Sequence, residues 1–200
     1  MGLVKAEAVY QQFLKTAKYF LKELDYYGKN QFRRRLEGNP FTVGELYDFL
    51  INSTLTYYIP RIDECLFSGS ENINGKKSGK GKIVFWYGRY PAIFKYEEVS
   101  AYKPAQPESP EKVKDLMFRF LKIMNKKAQE IDEAEIMNKV AHPVFGMLSA
   151  VEWYRLIEMN FKYHLQAKHE LDKVLRSVTP EKEPTEKEED FIEDQVYRDE

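Results

Sequence analysis

The sequence holds one cysteine, Cys65, and three histidines, none of them between Met1 and Ala141. A single cysteine excludes an intramolecular disulfide and suits a reducing compartment, so a cytoplasmic location is expected. No run approaches the roughly 20 apolar residues that would span a bilayer, and no membrane partner is expected. Nor do the first residues form the apolar core of a signal peptide, because Lys5, Glu7, Lys15 and Lys18 interrupt it. Charge of one sign is also lacking: 31 Lys and Arg oppose 32 Asp and Glu, for a formal net charge of −1. That balance hides an asymmetry. The segment Thr179–Glu200 carries ten acidic and three basic residues, a net of −7, so the remainder is at +6.

What is present is a globular composition. Hydrophobic residues make up 43% of the chain, and 14 tyrosines and 13 phenylalanines imply an aromatic-rich core. Two hundred residues suit one domain that needs no metal or disulfide to fold. The expected division is a helical domain over residues 1–178 followed by an acidic segment over residues 179–200 that buries little.

Helical periodicity dominates. Tyr10, Phe13, Leu14, Ala17, Phe20, Leu21 and Leu24 recur at three- and four-residue steps within a first helix over Ala6–Tyr27. Thr42 caps a second, whose inner face is Val43, Leu46, Leu50, Tyr58, Ile62 and Leu66. Pro60 falls inside that pattern and should kink or split it, because it removes a hydrogen bond and crowds the preceding turn, at roughly 3 kcal/mol unless packing compensates. Ser109 followed by Pro110 opens a third helix. Ser149 and Glu152 form a capping box for a fourth, which should end before Pro180. The fold expected is all-α, a four-helix bundle. Its second and third helices are joined by a crossover of about 40 residues, too long for antiparallel neighbours, so these two should run parallel or lie diagonally. The apolar run Ile83–Tyr87 within the crossover reads as a strand-like flap lying on the bundle.

On the fourth helix Asn160 and His164 stand one turn apart, on the face shared with Trp153, Ile157 and Leu171. Two histidines at this spacing would aim two imidazoles at one point, a common way for a bundle to build a metal site. Here the first member is an amide.

His142-Pro143-Val144-Phe145-Gly146 ahead of Glu152-Trp153, the Asn160–Gln166 segment, the second-helix stretch Val43–Leu50 and the long crossover together resemble the bacterial DinB-like proteins over roughly residues 5–176. The resemblance implies a four-helix bundle, often a homodimer. Many members hold a divalent metal through one histidine of helix two and two of helix four, and some are thiol-dependent transferases or hydrolases. Those ligand positions fall on Phe49, Asn160 and His164, of which only His164 can serve as an imidazole ligand. Phenylalanine ligates nothing, and a neutral amide is a poor zinc donor. The expectation is a vestigial metal position at His164, with no cofactor; zinc or nickel is the alternative. Asp48, next to Phe49, would supply a carboxylate if the helix were rotated. The residues expected to line the pocket are Phe49, Asp48, Trp153, Asn160 and His164, with His164 bonded to Asn160 or a tyrosine.

Three weaker signals complete the reading. Cys65 lies about 24 Å along the helix from Phe49, so it should be a small buried hydrophobe and not a partner of His164. His142 should anchor the His-Pro turn through a backbone carbonyl, and His169, about 140° around the helix from His164, cannot share its site. Lys76, Lys77, Lys80 and Lys82 among glycines match no phosphate-loop motif. With Phe85, Trp86, Tyr87, Arg89 and Tyr90 they form a basic-aromatic mixture that suits single-stranded nucleic acid, but a soluble loop leading into a packed flap needs the same residues, and nucleic acid is not the expected partner. Phe191, Ile192, Val196 and Tyr197 would be the anchors if the acidic segment binds something. The function expected is that of a bundle with a degenerate metal site, a binding or otherwise non-metalloenzymatic protein of unknown ligand, with an unknown small molecule or a second copy of the chain as its partner. The competing reading is a transferase or hydrolase acting on a thiol or small electrophile, with His164 as general base and Asn160 orienting it.

Overall fold

A computed structural model describes residues 4–67, 74–91, 100–134 and 138–178. The elements are α1 (Ala6–Leu24), α2 (Lys29–Arg33), α3 (Val43–Ser53), a π-helical turn (Thr54–Tyr58), α4 (Ile59–Phe67), α5 (Gly79–Tyr87), α6 (Pro110–Glu133), β1 (Lys139–His142), β2 (Gly146–Ser149) and α7 (Ala150–Val178). The chain is mostly helical with one small antiparallel sheet, so the all-α expectation is corrected by the β1–β2 hairpin. The acidic segment 179–200 lies outside the described residues. No helix among the described residues is long and apolar enough to cross a membrane.

α3, α6 and α7 each start where a side chain satisfies main-chain amides at the cap. The Thr42 hydroxyl accepts from Glu45 N, and the Glu45 carboxylate accepts from Thr42 N in return. The Ser109 hydroxyl accepts from Lys112 N, with Pro110 at the first helical position. Glu152 reaches back to Ser149 N at 3.0 Å. α1 has no cap of its own; the Asp132 carboxylate of α6 accepts from Ala6 N (2.7 Å) and Glu7 N (3.0 Å), placing negative charge at a helix N-terminus. α1 stops at Leu24, short of the expected Tyr27, and the Tyr27 side chain turns inward.

Pro60 splits its helix in a specific way. The turn just before it widens, with Ile59 N bonded to Thr54 O five residues back, and helical chain resumes as α4. Widening by one residue re-registers the ladder at a point where proline supplies no donor.

Contacts fix the directions of the helices. Asp132 near Ala6 and Lys114 bound to Asp25 make α6 antiparallel to α1. Phe49 against His164 and Tyr58 against Trp153 make α3–α4 antiparallel to α7. Phe13 against Phe161 and Tyr27 bonded to Asp172 make α1 and α7 run together. α3–α4 and α6 therefore share a direction, which a long crossover permits and a short one does not. Phe13, Phe20, Phe120 and Phe161 meet at the centre in edge-on and stacked pairs.

The flap expected at Ile83–Tyr87 is helix, not strand. The Ser78 hydroxyl accepts from Gly81 N to open α5, and Gly88, at φ +61°, closes it in the left-handed conformation that ends helices. Val84 and Phe85 are buried while Ile83, Trp86 and Tyr87 face outward, a helical pattern and not an alternating one.

Candidate functional site

α7 carries Asn160, His164, Lys168 and Asp172 at steps of four residues, and all four side chains are buried. Four-residue steps put them on one slowly drifting stripe, so the polar pair expected from the sequence is half of a longer row.

At its first half, the Phe49 ring meets His164 edge-on at 5.5 Å, and Phe41 stacks behind Phe49 at 5.2 Å. Tyr163 flanks the imidazole on its other side at 5.2 Å. Burial lowers the His164 pKa to about 4, so the ring is neutral at pH 7. The structure thus brings Phe49 to His164 as expected. Of the other three expected lining residues, Asn160 is buried one turn before His164 on α7, while Asp48 and Trp153 have partners elsewhere. The Asp48 carboxylate accepts from Tyr102 OH (2.7 Å), Ala105 N (2.8 Å) and Asn52 Nδ2 (2.8 Å), so it pins the crossover to α3. Trp153, about 16 Å from His164 along the helix axis, packs on Tyr57, Tyr58 and His142.

The second half of the row was not read from the sequence. The Lys168 ammonium is fully buried and donates to Asp172 Oδ2 (2.7 Å) and Tyr27 OH (2.8 Å), with Glu23 Oε2 at 3.6 Å. Tyr27 OH donates to the other Asp172 oxygen. Tyr19, Phe20 and Tyr27 turn ring faces to the same ammonium at 5.5, 5.9 and 5.2 Å. Burial lowers the Lys168 pKa, and the facing carboxylates oppose that shift; burial also holds the Tyr27 phenol protonated. A signal did exist: Ile157, Phe161, His164, Lys168, Leu171 and Leu175 alternate steps of four and three, which seats Lys168 in the core row.

His142 is a different kind of buried histidine. Its Nδ1 accepts from Val144 N (3.1 Å) and Phe145 N (3.2 Å), so it holds the turn through amide donors and not through the carbonyl expected. Its ring stacks on Phe145 at 4.4 Å and lies 5.0 Å from Trp153. Burial lowers its pKa to about 4. The Gly/Lys tract clamps this turn: Ser78 N and Ser78 Oγ donate to the carbonyls of Phe145 and Val144, each at 2.8 Å, and Met147 N donates to Lys76 O. Gly81 lies so close that a methyl group would collide with the Phe145 carbonyl. That glycine is there for close packing, not to cradle a phosphate.

Cys65 is fully buried, with Sγ 3.6 Å from Leu148 O and its pKa pushed up to about 12 by burial, so it is an inert thiol. His169 faces Tyr19. Among the described residues no group of three or more His, Cys, Asp or Glu side chains could hold a metal ion. One imidazole, one amide and a phenyl ring do not fit the zinc or nickel site that the resemblance implies.

Fold and site together define a mostly helical protein with a short hairpin and a buried polar row along its last helix. Comparison of the chain with protein-family models, with curated proteins and with solved structures finds no match in any of the three.

Proposed function

We propose that the chain is a DinB-like four-helix bundle with a degenerate metal position, acting as a binding protein for a small molecule and not as a metalloenzyme. The observation that carries this reading is the Phe49 ring packed 5.5 Å from His164, where a helix-two ligand would otherwise point. A neutral, mostly enclosed imidazole suits an acceptor or a packing group better than a general base, because a histidine with a pKa near 4 holds a transferred proton poorly at pH 7.

Elemental analysis of protein purified without an affinity tag tests the reading. Substoichiometric zinc, nickel and iron, unchanged in His164→Ala, is the expected result. Near-stoichiometric metal that vanishes in His164→Ala overturns it. Turnover of a thiol with a small electrophile, abolished in His164→Ala at unchanged melting temperature, would instead establish the transferase or hydrolase reading.

A further inference from the structure

Residues 74–91 carry Lys76, Lys77, Lys80, Lys82 and Arg89 and no acidic residue. Within them α5 buries Val84 and Phe85 and turns Trp86 (78% exposed), Tyr87 (59%) and Ile83 (39%) outward beside the exposed Lys80 and Lys82. A tryptophan this exposed, next to a tyrosine and an isoleucine and one turn from the exposed Lys82, is an interaction surface in composition, aromatic anchors beside positive charge; Lys77 lies apart from it, paired with Glu152 of α7. The helix itself is firmly seated, through the Ser78 bonds to the hairpin and Arg155 Nη2 donating to Phe85 O, so the outward face is presented on a rigid mount.

We infer that this face is the docking site of the chain's own C-terminal segment, centred on Glu188-Glu189-Asp190-Phe191-Ile192-Glu193-Asp194. That stretch places two apolar residues between five acidic ones, the complement in charge and in pattern of an apolar patch beside lysines. Its reach is sufficient. Arg155 lies over the Phe85 ring at 5.2 Å, which sets α5 beside that level of α7. From Arg155 to Val178 the helix runs about 35 Å, and the 13 residues from there to Phe191 span up to about 43 Å when extended. That reach is long enough for Phe191 and Ile192 to meet Trp86 and Tyr87. A tethered partner needs little intrinsic affinity, because its effective concentration is set by the linker.

Acrylamide quenching of tryptophan fluorescence in the full chain is the test, since Trp153 is fully buried and Trp86 dominates the accessible emission. Trp86→Phe assigns that component. Circular dichroism and thermal melting of the double variant Phe191→Ser/Ile192→Ser establish that the helical fold is retained before quenching is compared. Docking predicts that Trp86 is shielded in the wild-type chain and becomes several-fold more quenchable in the double variant. The same rise is expected in about 1 M salt, where the screening length falls to about 3 Å. Oligothymidine or anionic vesicles that engage Trp86 only in the double variant give further support. Equal quenching of wild type and double variant overturns the proposal. So does shielding that disappears on dilution, which would assign the face to a second copy, or oligothymidine binding of equal strength in both proteins, which would assign it to nucleic acid.

Discussion

At the start of α7, the hairpin's own main chain satisfies His142 and Trp153: amides of Val144 and Phe145 donate to one ring, and the Val140 carbonyl accepts from the other. Towards its end, Lys168 and Asp172 are satisfied entirely by side chains, with Tyr27 and Glu23 supplied by α1. The first arrangement is neutral and local, its contacts separated by 2 to 13 residues of chain. The second joins charges across more than a hundred residues, so removing one member leaves the others stranded in a medium that cannot solvate them. The same helix thus buries polarity in two ways, and the two should fail differently.

The largest expected effect is at the charged end. Lys168→Met removes the ammonium and leaves two buried carboxylates facing each other, at a cost of about 3–5 kcal/mol in urea denaturation. Neutralising the partners as well, in Lys168→Met with Glu23→Gln and Asp172→Asn, should cost less than the single substitution. A single-variant loss below about 1 kcal/mol would show that the network is no more demanding than a surface pair.

Acid should act next. His142 and His164 have pKa values lowered from 6.5 to about 4 by burial, so between those values the unfolded chain binds more protons than the folded one. Stability therefore falls as pH drops from 6.5 towards 4, by up to about 3 kcal/mol for each histidine. Denaturation midpoints measured at pH 7 and pH 4.5 check this, and His164→Gln should flatten the dependence. A variant with the wild-type slope would mean that other groups cause the loss.

His142→Phe keeps a ring of similar size against Phe145 and Trp153 but removes the acceptor for two amides, an expected loss of about 2 kcal/mol. If this variant cost as much as Lys168→Met, the contrast between the two ends of α7 would collapse.

These two regions also differ in how readable they were. Thr42, Ser109 and the Ser149–Glu152 pair marked the starts of α3, α6 and α7 because a cap is a contact within four residues. Helical spacing paired only Asn160 with His164; the meeting of Phe49 and His164 was implied by the family resemblance alone. The strand expectation at Ile83–Tyr87 failed because a short apolar run rich in aromatics suits either state; the Ser78 cap and the left-handed Gly88 decided it. The β1–β2 hairpin was missed because His142 accepts from amides that only the folded turn presents. Lys168 was missed because lysine is ordinarily a surface residue, and its partners Glu23 and Tyr27 stand more than 140 residues away in the chain.

The smallest expected effect separates packing from phosphate binding in the glycine tract. A methyl on Gly81 would strike the Phe145 carbonyl, a main-chain atom that cannot swing aside, whereas a methyl on Gly79 meets nothing within 4 Å. Both glycines lie in the first turn of α5. Gly81→Ala should therefore destabilise by about 1 kcal/mol, the low end for overpacking, through forced displacement of the hairpin. Gly79→Ala should be neutral or stabilise by about 0.5 kcal/mol, since alanine loses less backbone freedom on folding. Thermal melts of the two variants make the comparison. If the tract were a flexible anion-binding loop, the two substitutions would be equivalent for stability. If it is the clamp on the His142 turn, only Gly81→Ala lowers the melting temperature, and in His142→Phe, where the turn is already loosened, that drop should shrink.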